Sequence, residues 1–344
     1  MRLEYEEHTT EILHDFIHPF NILSEVIIGD LETIMYVDGR SFVIDIDQWQ
    51  YFHMLQDKFG QFEMVYRYFK DVNLVIISER PYGPDSPGYN VTSDLLKIYG
   101  YEVEDIICLQ DISVKFEEII YYHVSASELL NRLPGRTTPW LRENDDFFAV
   151  NFREAVLLRG ALLEHIPEAD TPRKIYLSRK GRNDKVANLK HILETSTDEV
   201  AQKWAYDNEI VDDPNTNIAW LEMLVKERYF PELEDTLEKE LVKAGYSVIH
   251  TDGMGLIEQA TLCRNATHIA AVNGTGCYNM LFGNEDTKFF IFNLSNFYGW
   301  YYEDIVEWIF KKDNLYLLPQ RHPNNYIMSK DISFLVNEYL SGIV

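Results

Sequence analysis

From Arg173 onward the sequence alternates in a way that few folds accommodate. RKIYLSR (173–179) reads as a strand and KVANLKHILE (185–194) as a helix. LEDTLEKELVKA (233–244) is a second helix, with Leu233, Leu237 and Leu241 on one face and Gly245 at its end. Then YSVIHTD (246–252) reads as a strand, LIEQATLCRN (256–265) as a helix and THIAAVN (267–273) as a strand. CYNMLFGN (277–284) reads as a helix and KFFIFN (288–293) as a strand. Alternation of this kind predicts an α/β fold, a parallel sheet covered by helices, with ligands at the carboxyl ends of the strands. One acid-rich stretch, 195–231, interrupts the rhythm and reads as a helical insertion.

At 344 residues the chain exceeds the size at which a single core keeps growing, so two domains are expected. The first 150 residues mix strand-like and helix-like runs. MYVDGRSFVIDI (35–46) reads as two short strands around a turn at Asp38-Gly39-Arg40. VNLVIISE (72–79) is a buried strand, PYGPDSPGYN (81–90) a loop, and SDLLKIYG (93–100) a helix ended by Gly100. The expected division is an N-terminal α/β domain over 1–150 and a C-terminal ligand-binding domain over 151–318. A terminal helix within 319–344 is expected to return to the N-terminal domain.

Composition removes several functions. A formal charge of −25 excludes a general role on nucleic acid or an anionic membrane surface, which need a basic face. No run approaches the roughly 18 apolar residues of a transmembrane helix, and MRLEYEEHTTEIL is charged where a signal peptide carries its apolar core. Cys108, Cys263 and Cys277 form neither a disulfide framework nor a metal clip, which fits the reducing cytoplasm.

The strongest anomaly is RKIYLSRKGRNDKVANLK (173–190), with seven Lys/Arg against the single acid Asp184, in a chain of 56 acids and 31 bases. Arg179, Lys180 and Arg182 follow the strand's end, where such sheets bind ligands, and the guanidinium fork suits phosphate. The competing reading is a solvated turn paired with the acidic insertion. A second anomaly is Asn273-Gly274-Thr275-Gly276, between a strand and a helix. Its glycines let backbone approach a ligand at a positive helix terminus, or serve only a tight turn.

Gly253 and Gly255 in DGMGLIEQA (252–260) have a dinucleotide spacing. Glu258 holds the third glycine position, however, and no ribose-binding acid follows about 20 residues later, so a nicotinamide cofactor is excluded. Glu258 is instead placed to accept a ribose hydroxyl. Asp45 and Asp47 have the D-x-D spacing of a divalent-cation site, although alternation in a strand accounts for it equally. His14, Asp15 and His18 are the candidates for a general base.

The order of these segments resembles glycosyltransferase family 61. Its pattern runs as an Arg-x-Ile-Tyr-Ile/Leu-Ser-Arg strand, a Gly-Phe-x-Val strand, a helix with Glu-Gln, then a strand, His-Gly-Ala-Gly and Asn-x-Leu/Met-Phe. The matching positions here are Arg173, Ile175, Tyr176, Ser178, Arg179, Gly245, Glu258, Gln259, Gly274, Gly276, Asn279 and Phe282. Two positions depart: Asn273 stands for the family's histidine and Thr275 for its alanine.

The resemblance covers about 150–293 and implies a GT-B fold, two Rossmann-like domains facing across a cleft. It also implies an inverting, metal-independent transferase without a cofactor. Donor contacts are then expected from Arg179, Lys180, Arg182, Glu258, Asn273, Gly274, Thr275, Gly276 and Asn279. The donor is a nucleoside-diphosphate sugar, a UDP-sugar by preference, and the acceptor a glycan or other hydroxyl. Bacterial relatives of this kind make surface polysaccharide. A base from the N-terminal domain, His18 or Asp15, takes the acceptor proton. The alternatives are a metal-dependent transferase using Asp45 and Asp47, or a non-catalytic nucleotide-sugar or glycan-binding protein of the same fold.

Overall fold

A computed structural model describes residues 21–29, 33–46, 51, 54–69, 71–86, 88–121, 157–208, 210–211, 215–228, 231–292, 314–318 and 329–340. The chain divides into two compact units. Met1–Asp45, Met64–Pro81 and Ile106–Phe147 make the first, and Ile46–Glu63, Tyr82–Asp105 and Phe148–Val344 the second.

The first unit holds a sheet of β1 (Asn21–Ile28), β2 (Ile34–Asp45), β3 (Asn73–Ser78), β4 (Ile107–Cys108) and β5 (Ser113–Tyr121), in the order β1-β5-β2-β3-β4. Only β1 runs antiparallel to its neighbour. Ile28, Val43, Val75, Ile77, Val114, Phe116 and Ile119 form its core. The expected turn at Asp38-Gly39-Arg40 is not a turn between strands. β2 is one continuous strand, because both halves pair with β5: Val37 with Phe116, then Arg40 with Glu118. The one extra residue on β2 makes a bulge. Gly39, at φ 76°, donates its amide to Glu117, and Arg40 pairs with Glu118 at 2.8 Å.

The second unit is built on an all-parallel sheet of β6 (Lys174–Ser178), β7 (Ser247–His250), β8 (His268–Val272), β9 (Lys288–Phe292) and β10 (Leu315–Leu318), ordered β10-β9-β8-β6-β7. The apolar runs expected to be strands are β6 to β9, and the inner strands β6, β8 and β9 are buried at alternate and intervening positions alike, as central parallel strands are. The described α-helices include α1 (Gln61–Tyr68), α2 (Tyr89–Ile98), α3 (Lys180–Thr195), α4 (Asp198–Asp207), α5 (Ile218–Arg228), α6 (Pro231–Lys243), α7 (Leu256–Asn265) and α8 (Ser329–Tyr339). Thr275–Phe282 is a 3-10 helix. The insertion is helical, as α4 and α5. Its Ala205, Ile210, Leu221 and Leu224 pack with Val186 and Leu189 of α3.

Two boundaries differ from expectation. The stretches 46–63 and 82–105 belong to the second unit, not the first. Their ties are long-range: Asn90 and Asp94 of α2 bond the turn before α7, and Tyr51 bonds Asn279. The helix expected to return to the N-terminal domain packs instead on α6. Ile332, Val336 and Leu340 form a stripe that meets Leu237 and Leu241 in one core. Among the described residues no helix is long and apolar enough to cross a membrane.

Candidate functional site

The chain passes from β6 outward to β7, then returns across β6 to β8 and continues to β9 and β10. The direction of winding therefore reverses between β6 and β8. At such a switch point the loops leaving the two strands diverge, and the crevice between them is where α/β sheets bind ligands. Arg179 leaves the end of β6, and Asn273-Gly274 leaves the end of β8. The two sequence anomalies thus meet at one place.

They meet in contact. Arg179 Nη1 donates to the Asn273 carbonyl at 2.8 Å. A Cβ added at Gly274 would lie 3.4 Å from Arg179 Cζ and Nη1, so this glycine makes room for the guanidinium. Asn273 is 6% exposed and its amide donates to the Phe292 carbonyl at 2.9 Å, which ties the loop to β9. Gly276 differs: no described residue lies within 4 Å of where its Cβ would be. Among the described residues Arg179 Nε and Nη2 have no protein acceptor, and the side chain is partly exposed.

Beneath the loop lies a buried chain of hydrogen bonds. Asn279, fully buried, donates to Gln259 Oε1 at 2.9 Å and to the Gly276 carbonyl at 3.2 Å, and accepts from Tyr51 at 2.6 Å. Gln259 in turn donates to the Met254 carbonyl at 3.1 Å. The Asn279 amide is thereby committed within the protein, and it positions Gly276 from below rather than facing the crevice. Burial pushes the Tyr51 phenol well above its ordinary pKa, so it acts as a neutral donor.

Lys180, next in the basic island, is neutralised by α6. Lys180 pairs with Asp235 at 3.2 Å and lies 4.0 Å from Glu238, and the Asp235 hydrogen bond raises its pKa. Glu234, 2% exposed, accepts from Tyr176 at 2.6 Å and from the Arg179 amide at 2.8 Å. Burial first, and then Glu234, raise the Tyr176 pKa. Ser178 donates to Glu238 at 2.7 Å and accepts from the Lys180 amide at 3.0 Å, so α3 starts at Lys180, earlier than Lys185. Arg182 reaches the Ile210 carbonyl at 2.8 Å and braces the insertion. Pairing with acids therefore accounts for Lys180, though the acids sit on α6 rather than in the insertion.

The DGMG turn has a different occupant. Asp94 accepts from the Ile257 amide at 3.0 Å, capping α7, and a Cβ at Gly255 would collide with that carboxylate. Asn90, one helical turn earlier, donates to the Gly253 carbonyl at 2.6 Å. Glu258 is in the first turn of α7 and exposed. Asp252 lies against Gly181 in the first turn of α3.

Asp45 ends β2, at the first unit's own switch point between β2 and β5, and is 7% exposed. Asp47, His14, Asp15 and His18 lie outside the described residues, and nothing is described of the Thr275 side chain. Among the described residues no group of three His, Cys, Asp or Glu could hold a metal ion. The three cysteines are free. Sequence reading missed Tyr51, Asp94 and Glu234. Only Glu234 carried a signal, since Glu234, Asp235 and Glu238 form an acidic patch complementary to the basic island.

The Glycosyltransferase 61 family model matches residues 226–290, from the end of α5 through α6, β7, α7, β8 and the Asn273–Gly276 loop into β9. The match supports assignment to glycosyltransferase family 61. No curated protein matches the chain. The family 61 stretch contains one wall of the crevice, Asn273 to Gly276, while Arg179 on the other wall lies outside the matched residues. The family indicates glycosyltransferase activity, with a sugar donor and an acceptor.

Proposed function

We propose that this is an inverting, metal-independent glycosyltransferase of GT-B type, acting in the cytoplasm in polysaccharide synthesis. It moves a sugar from a nucleoside-diphosphate sugar, a UDP-sugar by preference, to a glycan or other hydroxyl acceptor. The observation that carries this reading is the Arg179 guanidinium, held by the Asn273 carbonyl, with Nε and Nη2 still available as donors at the switch point.

In this reading the acceptor oxygen attacks the anomeric carbon from the face opposite the diphosphate. The new C–O bond forms as the old one breaks, configuration inverts, and the electron pair leaves on the diphosphate. Arg179 and the start of the 3-10 helix at Thr275 stabilise that developing charge, the electrostatic role that matters most in transfers of this kind. Glu258 accepts from the ribose. His18 or Asp15 removes the acceptor proton. Lys180 and Arg182 enter less directly, since both already have acceptors.

A thermal-shift panel with UDP, GDP, CMP and dTDP and their common sugars, with and without EDTA, tests the proposal. A ligand of the native state raises Tm by mass action. The expected result is stabilisation by one nucleotide class, retained in EDTA and lost in Arg179→Ala. A shift that EDTA abolishes and manganese restores would favour the Asp45/Asp47 alternative. Binding without transfer or hydrolysis of any sugar would favour a non-catalytic role.

A further inference from the structure

At the opposite edge of the same sheet, Lys174, His268 and Lys288 stand side by side. The register pairs Lys174 with His268 across β6 and β8, and His268 with Lys288 across β8 and β9. Strand alternation puts them on the face that also carries Tyr176, Ala270 and Phe290, the face covered by α6 and α8. Tyr246, which follows the end of α6, is 3% exposed and closes this edge. The Lys174 ammonium lies 5.8 Å from the Tyr246 ring centroid. Tyr246 meets His268 edge-on at 6.4 Å between centroids, and Phe290 stacks on His268 at 6.1 Å.

Three features of this cluster are unfavourable as it stands. The Tyr246 hydroxyl and His268 Nε2 are both buried without a hydrogen-bond partner, and only His268 Nδ1 is engaged, with Thr267 Oγ1 at 3.0 Å. An unmet buried polar group costs about 1–3 kcal/mol. Neither lysine is within ion-pairing distance of a described carboxylate, in a chain with 56 acids and 31 bases. Burial first, then the charges of Lys174 and Lys288, push the His268 pKa down to about 4, so the ring is neutral at pH 7. The Thr267 hydroxyl donates to the Arg173 carbonyl, so the neutral ring carries its proton on Nδ1 and Nε2 is a bare acceptor. A single negative ion among these groups, by drawing a proton onto Nε2, would relieve all three.

We propose that this edge of the sheet binds a small oxyanion of the phosphate class, held by the Lys174 and Lys288 ammoniums and the Tyr246 hydroxyl, with His268 Nε2 taking up a proton as the ion binds and then donating to it. Lys174 opens β6 and Arg179 follows its other end, five residues on, about 16 Å at the rise of a strand. The site is therefore separate from the switch-point crevice and does not rest on the transferase reading. The enclosure of both unpartnered atoms selects a free ion over a bulky ester.

Thermal melts in sodium phosphate and in sodium chloride of equal ionic strength, at pH 7, provide the test. Wild type and Arg179→Ala are expected to gain Tm with the logarithm of phosphate concentration, and chloride to have no such effect. Lys174→Gln with Lys288→Gln is expected to need at least tenfold more phosphate for the same gain. Tyr246→Phe, which keeps the ring, is expected to weaken the response and serves if the lysine double variant does not melt cooperatively. An NMR titration of His268 should show its pKa rising when phosphate is present. Equal melts in phosphate and chloride would overturn the proposal. So would an undiminished response in Tyr246→Phe and the lysine variant, or a response lost in Arg179→Ala alone.

Discussion

The two glycine turns of the second unit look alike as sequence and differ as sites. Asp252–Gly255 and Asn273–Gly276 each follow a strand of the same sheet and each open a helix, α7 and the 3-10 helix. At the first, the protein's own carboxylate, Asp94, already caps the positive helix end. At the second, the neighbour across the crevice is a cation, Arg179, with donors to spare. A carboxylate at a helix N-terminus excludes phosphate, whereas a guanidinium beside one adds to its attraction. Glycine spacing alone therefore says little, and the charge of the group that meets the turn decides what the turn is for.

The largest effect should come from removing that cation. Arg179→Ala is expected to lower kcat/KM for sugar transfer by about 10²–10³, as loss of one preorganised donor to developing charge does. Arg179→Lys should recover only part of this, because it restores the charge without the fork. Steady-state kinetics alongside a melt separate this from simple loss of the bond to Asn273. If transfer were unchanged, the second turn would join the first as a structural device.

Next is the support beneath the second turn. Tyr51→Phe removes the donor to Asn279 and leaves a buried amide oxygen unmet, at a cost of about 1–3 kcal/mol in denaturant unfolding. The nucleotide-sugar KM should rise with it, since Asn279 holds the Gly276 carbonyl. An unchanged melt would show that the oxygen finds another donor, and the loop would owe its position to Arg179 alone.

The first turn should respond in stability only. Asp94→Ala opens the cap of α7 and is expected to cost about 1 kcal/mol, with nucleotide affinity unchanged. Gly255→Ala should do the same by displacing the carboxylate. Loss of nucleotide affinity in either variant would mean that the ligand spans both turns, and the contrast between them would fail.

Much of this contrast was legible in the sequence, and the part that was not has a common cause. The strands β6 to β9 announce themselves as short apolar runs, and α7 as LIEQATLCRN between a glycine and a polar turn, because periodicity and caps are local. Arg179 and Asn273 could be assigned to one sheet edge, since both end strands of one alternating series. Partners from elsewhere could not be read. Asp94 is 163 residues from Ile257, and Tyr51 is 228 residues from Asn279. Nothing local marks such a residue, as its role depends on where the topology delivers it. Lys180 was read as ligand-facing for the same reason: its acids, Asp235 and Glu238, arrive from a helix more than 50 residues on. The Asp38-Gly39 turn was misread because a bulge and a hairpin share their residues and differ only in the partner strand.

The smallest expected effect on stability is also the sharpest on function. Gly276 sits within the first turn of the 3-10 helix, and a Cβ there meets nothing within 4 Å among the described residues. Its backbone is not in the left-handed region that favours glycine. Gly276→Ala should thus leave unfolding free energy within about 0.5 kcal/mol of wild type, or raise it slightly by restricting the unfolded chain. On stability grounds any small residue would serve, so a glycine here points to something outside the protein that comes close. The added methyl should weaken nucleotide-sugar binding while the melt in buffer stays put. If binding is unaffected, nothing approaches Gly276, and the open face of the second turn is as idle as that of the first.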